Sequence, residues 1–193
     1  MKRFLVLSLL CASLFCLAQD AVSQEFPKMD NSPMDVSYFP PRVAFRAFAK
    51  TEEEKNVKPM IRVIYSRPQA KGRKVFTDLE KPGNIWRVGA NEATELMFFQ
   101  DVKIGDTPVA AGRYTVYAML GKSEWTIYLS NDLDRWGHYS FKPENSSVAQ
   151  ITVPVEKTAE LVEAMSIVFE SADLGAHMII AWDDTMVRVP ITL

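Results

Sequence analysis

Beyond residue 58, apolar and polar residues alternate with a period of two over most of the chain. That period sends successive side chains to opposite faces of an extended strand, so it predicts β-structure with one covered face. Residues 60–65 are β-branched and aromatic. Leu96 and Phe98 share one side of the next segment. Residues 102–104 run into Gly105-Asp106, a two-residue turn suited to a tight hairpin. Ala111-Gly112 makes another turn, after which Tyr114, Val116, Ala118 and Leu120 fall on one face. Gly121-Lys122 turns the chain again, and Trp125, Ile127 and Leu129 alternate with Thr126, Tyr128 and Ser130. Residues 148–155 read as a strand. Met165, Ile167 and Phe169 alternate after it, and Met178, Ile180 and Trp182 do the same. Asp183-Asp184 is read as the last hairpin turn, before Val187 and Val189.

This makes about nine short strands separated by turn residues at roughly 8–12-residue intervals, with no long amphipathic helix. The expected fold is all-β: a single antiparallel sandwich, jelly-roll-like, with a closed barrel as the alternative. Residues 59–193 form the expected domain. Residues 19–58 read as an extended N-terminal segment, because Pro27, Pro33, Pro40 and Pro41 cannot donate to a ladder. Within it, residues 43–55 are expected to be loop with some helix.

The N-terminus breaks the pattern. Lys2 and Arg3 precede an apolar run over residues 4–15, and Cys16 and Ala18 then make a small-x-small cleavage site. The run is short for a bilayer span and has no stop-transfer charges behind it. Residues 1–18 are therefore expected to be a cleavable signal peptide, with cleavage after Ser23 as the alternative. The expected location is the periplasm or the medium, with no membrane span in the mature chain. Phe15 before Cys16 and Leu10 before Cys11 fit a lipidation site badly.

Export changes the meaning of the composition. Cys11 and Cys16, the only cysteines, both lie in the signal, so the mature chain has no disulfide, thiol nucleophile or thiolate-bound metal. Its stability must come from packing. The full chain has 22 basic and 24 acidic residues. Loss of Lys2 and Arg3 makes the remainder more acidic still, which argues against nucleic acid as a partner.

The least ordinary composition lies in residues 65–94, YSRPQAKGRKVFTDLEKPGNIWRVGANEAT. Arg67, Lys71, Arg73 and Lys74 are cationic, and Trp86 stands beside Arg87, with Asn91 and Glu92 close behind. A guanidinium fork recognises carboxylates and phosphates, an amide both donates and accepts, and an aromatic ring can floor a polar pocket. Arg67, Arg73, Trp86, Arg87, Asn91 and Glu92 are thus candidate ligand-binding residues, with His138 added from the turn after Trp136-Gly137. The competing reading is structural: arginine–glutamate pairs tie down a long loop, and the glycines serve turns. No cofactor or metal site is expected. His138 and His177 are the only histidines, and no nucleophile elbow or phosphate loop is present.

The strings YSRPQAKGRKVF, WRVGANEAT, DVKIGDTPVAAGRYTVYAM, EWTIYLSND and WGHYSF, with SPMDVSYFPP as lead-in, resemble the uncharacterised bacterial family called domain of unknown function 2911. The resemblance spans residues 32–191. It implies an exported β-rich protein, carries no defined catalytic residue, and singles out Arg67, Gly72, Arg73, Trp86, Arg87, Gly89, Asn91, Glu92 and Thr94 as its hallmark. The leading expectation is an exported module binding a small polar ligand, sugar-like or anionic. The alternatives are a hydrolase using Glu92 with arginine assistance, and a structural or assembly partner of other envelope proteins.

Overall fold

The computed structural model describes residues 24–193, and the signal-peptide expectation lies outside them. The described chain is an antiparallel β-sandwich whose sheet does not close into a barrel. Its strands are β1 (Met34–Phe39), β2 (Ile61–Ser66), β3 (Ile85–Trp86), β4 (Thr94–Phe98), β5 (Val102–Ile104) and β6 (Thr107–Val109). They continue with β7 (Gly112–Leu120), β8 (Glu124–Ser130), β9 (Ser147–Ala172) and β10 (Gly175–Thr192). The order across the sheet is β1-β2-β4-β7-β8-β9-β10-β5-β6, and β3 pairs β7 as a side branch.

One strand belongs to both layers. The first part of β9 pairs β8, from Ser147↔Ser130 to Pro154↔Glu124. Its remainder pairs β10, from Val155↔Val187 to Ala172↔Gly175. The later half of β9 lies over the first layer, where the Tyr65 hydroxyl donates to Ile167 O at 3.2 Å. The alternation expected for β7 and β8 puts Val116, Ala118, Leu120, Trp125, Ile127 and Leu129 into the main core. There they meet Met165, Ile167, Met178, Ile180 and Trp182 of the opposing layer. Their alternates Tyr117 and Tyr128 form a second, smaller cluster with Phe141 on the outer face.

Three expectations need correction. Asp183-Asp184 is not a hairpin turn. β10 runs through it, and the hairpin closes at Asp173-Leu174. Asp183 has φ 57°, and the register there is irregular: Ala181 faces Ser166, Asp183 faces Val162 and Thr185 faces Lys157. β9 carries extra residues and bulges, so its partner needs a left-handed residue in mid-strand. Secondly, the segments at residues 148–155 and 165–169 belong to one strand of 26 residues. Thirdly, the proline-bounded N-terminal segment contributes β1, fully paired with β2 from Met34↔Ser66 to Phe39↔Ile61. Residues 43–48 form a 3-10 turn and Glu52–Asn56 a short helix with a Thr51/Glu54 capping box.

Candidate functional site

Three side chains hold the WRVGANEAT segment in place. Trp86 is wholly buried, and its Nε1 donates to Gly89 O at 3.1 Å. Ser66 of β2 accepts from Ala90 N at 2.8 Å, and its hydroxyl donates to Ala90 O. A Cβ on Gly89 would lie 3.0 Å from Ser66 Oγ and 3.3 Å from its carbonyl oxygen, so this close approach requires glycine. Thr94 Oγ1 donates to Val88 O at 2.5 Å. These bonds hold Val88 at φ 56° and Asn91 at φ 60°. A β-branched residue rarely adopts the left-handed region, and it persists only where its surroundings over-determine it.

A second loop docks on this one. Ala93 N donates to Arg135 O at 2.9 Å, Gly137 N donates to Asn91 O at 2.8 Å, and Glu92 bridges Trp136. The pairing brings His138 within range of the Arg87 charge, and Phe141 of the same loop packs on Tyr117 of β7. Those two rings stack at 4.0 Å. Arg87 Nε and His138 Nδ1 are both buried without a hydrogen-bond partner. Glu80, just past the π-helical turn Val75–Leu79, also lies within range of the Arg87 charge. Burial pushes the Glu80 carboxyl above the usual glutamate value, and the charge of Arg87 opposes this only in part. Burial also pushes His138 below its usual value, and Arg87 adds to that shift.

The other candidates lie elsewhere. Arg67 is held by Met165 O at 3.0 Å, Ser166 Oγ at 2.9 Å and Asp35 at 3.0 Å, so it clamps β1 and β2 to β9. Trp86 belongs to the core and presents no surface to a ligand. It supports one from below, packing edge-on to Phe76 at 5.7 Å and Trp125 at 5.8 Å and stacked on Trp182 at 6.1 Å. Glu92 is exposed, and Trp136 is 61% exposed. Arg87, Asn91, Glu92 and His138 therefore come together, whereas Arg67, Arg73 and Trp86 each stand apart from them.

Arg73 lines an open cleft of about 740 Å³. Phe76 and Trp125 contribute its apolar lining, with Arg73, Lys74, Lys122 and Lys157 as cations and Glu163, Asp183 and Asp184 as carboxylates. Two of those carboxylates serve as tethers. Asp183 accepts from Val75 N at 3.0 Å and Glu163 from Lys71 N at 2.8 Å, holding the 70–75 loop against the β9–β10 bulge. Lys157 pairs with Asp184 at 2.7 Å, and the bonds from Lys157 and Thr185 hold the Asp184 carboxyl below its usual value. Arg73 donates to Ala70 O and Gln69 O, both at 2.7 Å. Lys122, Lys157 and Glu163 were not among the candidates read from the sequence. They reach the cleft only because the bulge and the β7–β8 turn converge there. Glu80 was missed for the same reason, since nothing local distinguishes it from other surface carboxylates. Among the described residues, no group of three or more histidine, cysteine or carboxylate side chains is placed to hold a metal ion. No helix among them is long and apolar enough to cross a membrane.

No curated protein and no solved structure matches the chain. A family model described as "Protein of unknown function (DUF2911)" matches residues 47–191, from the 3-10 turn to the end of β10. That match covers most of the sequence, including the clamped WRVGANEAT loop and the cleft, so the chain belongs to the domain of unknown function 2911 family.

Proposed function

We propose that this protein is an exported module that binds a small polar ligand, sugar-like or anionic, in the cleft between the 70–77 segment and the β9–β10 bulge. One observation carries the reading: an open cleft of about 740 Å³ in which aromatic rings lie beside mixed charges. That volume falls in the range of small-molecule sites, roughly 300–1,000 Å³. Phe76 is only part-buried and offers a ring face or edge to an apolar sugar face or a planar group. The Lys74 and Lys122 ammonium groups belong to no ion pair among the described residues, so they are free to meet an anionic or hydroxyl-rich ligand. Four cationic side chains face three carboxylates in the lining, so the cleft is cationic on balance.

Export rests on the N-terminal pattern of Lys2, Arg3 and the apolar run behind them. Fractionation of cells producing the full chain tests it. The expected result is a shortened protein outside the cytoplasm, and a full-length cytoplasmic product would refute it.

Ligand binding is tested by a thermal-shift screen of the purified protein against sugars, nucleotides and organic acids. A hit should raise the unfolding midpoint, lose its effect in Lys122→Ala and Arg73→Ala, and keep it in Lys103→Ala, an exposed residue on β5. An effect that survives in both cleft variants would refute the cleft as the site.

A further inference from the structure

Arg87 lies outside the cleft, and its surroundings are unusual for a guanidinium. Its Nε is buried and unpartnered. No ion pair among the described residues includes it. A buried cationic donor left unsatisfied is costly, and native structures rarely tolerate one without a reason. The Glu80 carboxyl is held towards its neutral acid form by burial, and His138 towards neutral imidazole. His138 Nδ1, also buried and unpartnered, is the second free polar atom.

The backbone around these atoms is built to hold them. Val88, Asn91 and Asp134 have φ of 56°, 60° and 58°, and they lie on the two loops that dock together here. Left-handed non-glycine residues concentrated in this way gather where a structure stores strain for a function. The wall behind is rigid, with Tyr117 buried and stacked on Phe141. The outer wall is different. Trp136 and Tyr139 are 61% and 80% exposed, so the 136–139 turn brings large rings to the surface beside the site with little packed over them.

We propose that Arg87, with His138 of the docked loop, is the receptor for a small oxoanion, a carboxylate or phosphate group, at a site separate from the cleft. The guanidinium fork supplies paired N–H donors, and His138 supplies a ring N–H. None of these residues lines the cleft, so the site stands or falls independently of the cleft reading.

The test is thermal unfolding of the purified protein in sodium phosphate and, separately, sodium acetate, each against sodium chloride at matched ionic strength. At least one oxoanion should raise the midpoint saturably. Which of the two acts distinguishes a phosphate receptor from a carboxylate receptor. Arg87→Lys keeps the charge and removes the fork, and it should weaken the apparent affinity by about tenfold or more. His138→Gln should weaken it too, and it decides the matter if Arg87→Lys does not fold. Lys122→Ala should leave the response intact. The proposal is overturned if neither anion acts on the wild type. Unchanged affinity in the folded Arg87 and His138 variants would sink it equally, as would loss of the response in Lys122→Ala.

Discussion

Trp86 and Arg87 are neighbours in sequence, and they meet opposite fates. Trp86 enters the core between the sheets, where it packs against Phe76, Trp125 and Trp182 and its single donor is satisfied by Gly89 O. Arg87 joins the outer face of the same sheet, where its Nε has no partner and Glu80 and His138 are shifted towards their neutral forms. The inner face is a finished apolar surface. The outer face combines a small aromatic cluster with a polar group left incomplete. Residues 24–193 contain no cysteine, so they have to make the main core complete by packing alone. They can leave polar valences open only where that core does not depend on them.

Substitutions on the two faces should therefore differ in kind as well as in size. The largest loss is expected for Trp86→Ala, about 3–5 kcal/mol, because it opens a cavity in the main core and frees the Gly89 carbonyl. Urea unfolding measures it. A loss under about 1 kcal/mol would show that the ring is not structural. Phe141→Ala should cost less, about 2 kcal/mol, since it removes the ring stacked on Tyr117 in the smaller cluster. It should also loosen the 131–140 loop, seen as faster amide exchange at Gly137 with little change in the β7–β8 core. Uniform exchange throughout the molecule would erase the distinction between the faces.

Thr94→Val tests the clamp that joins the two. Removing the Thr94 hydroxyl leaves the Val88 carbonyl without its donor, and should cost about 1–2 kcal/mol in the same urea experiment. A neutral result would mean that Val88 keeps its left-handed backbone without help.

The smallest effect is the one with a pH signature. Burial raises the Glu80 carboxyl in the folded state, with Arg87 opposing, so the folded protein holds that proton more tightly than the unfolded chain does. This contribution to stability is fully present below the ordinary glutamate value and is lost as the pH rises through the folded one. Glu80→Gln removes the titration. Its unfolding midpoint should match the wild type in acid and exceed it increasingly towards neutral pH. A constant offset between the two proteins across that range would show that the carboxyl is not desolvated.

The hallmark segment shows how far residue types alone can be read. Its glycine, serine-facing alanine and threonine are explained by backbone packing: Gly89 for its approach to Ser66, Ala90 for the paired bonds to that serine, and Thr94 for Val88. At these positions the residue types serve the backbone. The same clamp sets Arg87 and Asn91 against the second loop, so one motif both holds the chain and presents a polar group. Arg67, which looks equally chemical in sequence, has all its visible partners within the sandwich. A guanidinium's role depends on what the fold brings within about 3 Å of it, and sequence neighbours do not fix that.

The sequence by itself determined the β class, the faces of β7 and β8, and the hairpin at Gly105-Asp106. Those depend on a two-residue period and on turn chemistry, which are local. Only the tertiary structure decided that β9 is a single strand shared by both layers, that Asp183-Asp184 lies in mid-strand opposite the β9 bulges rather than in a turn, and that Lys122, Lys157 and Glu163 line one cleft. It alone placed Glu80 and His138 beside Arg87. Strand register and loop docking arise from contacts between residues far apart in the chain, and no local pattern encodes which distant partner a side chain will meet.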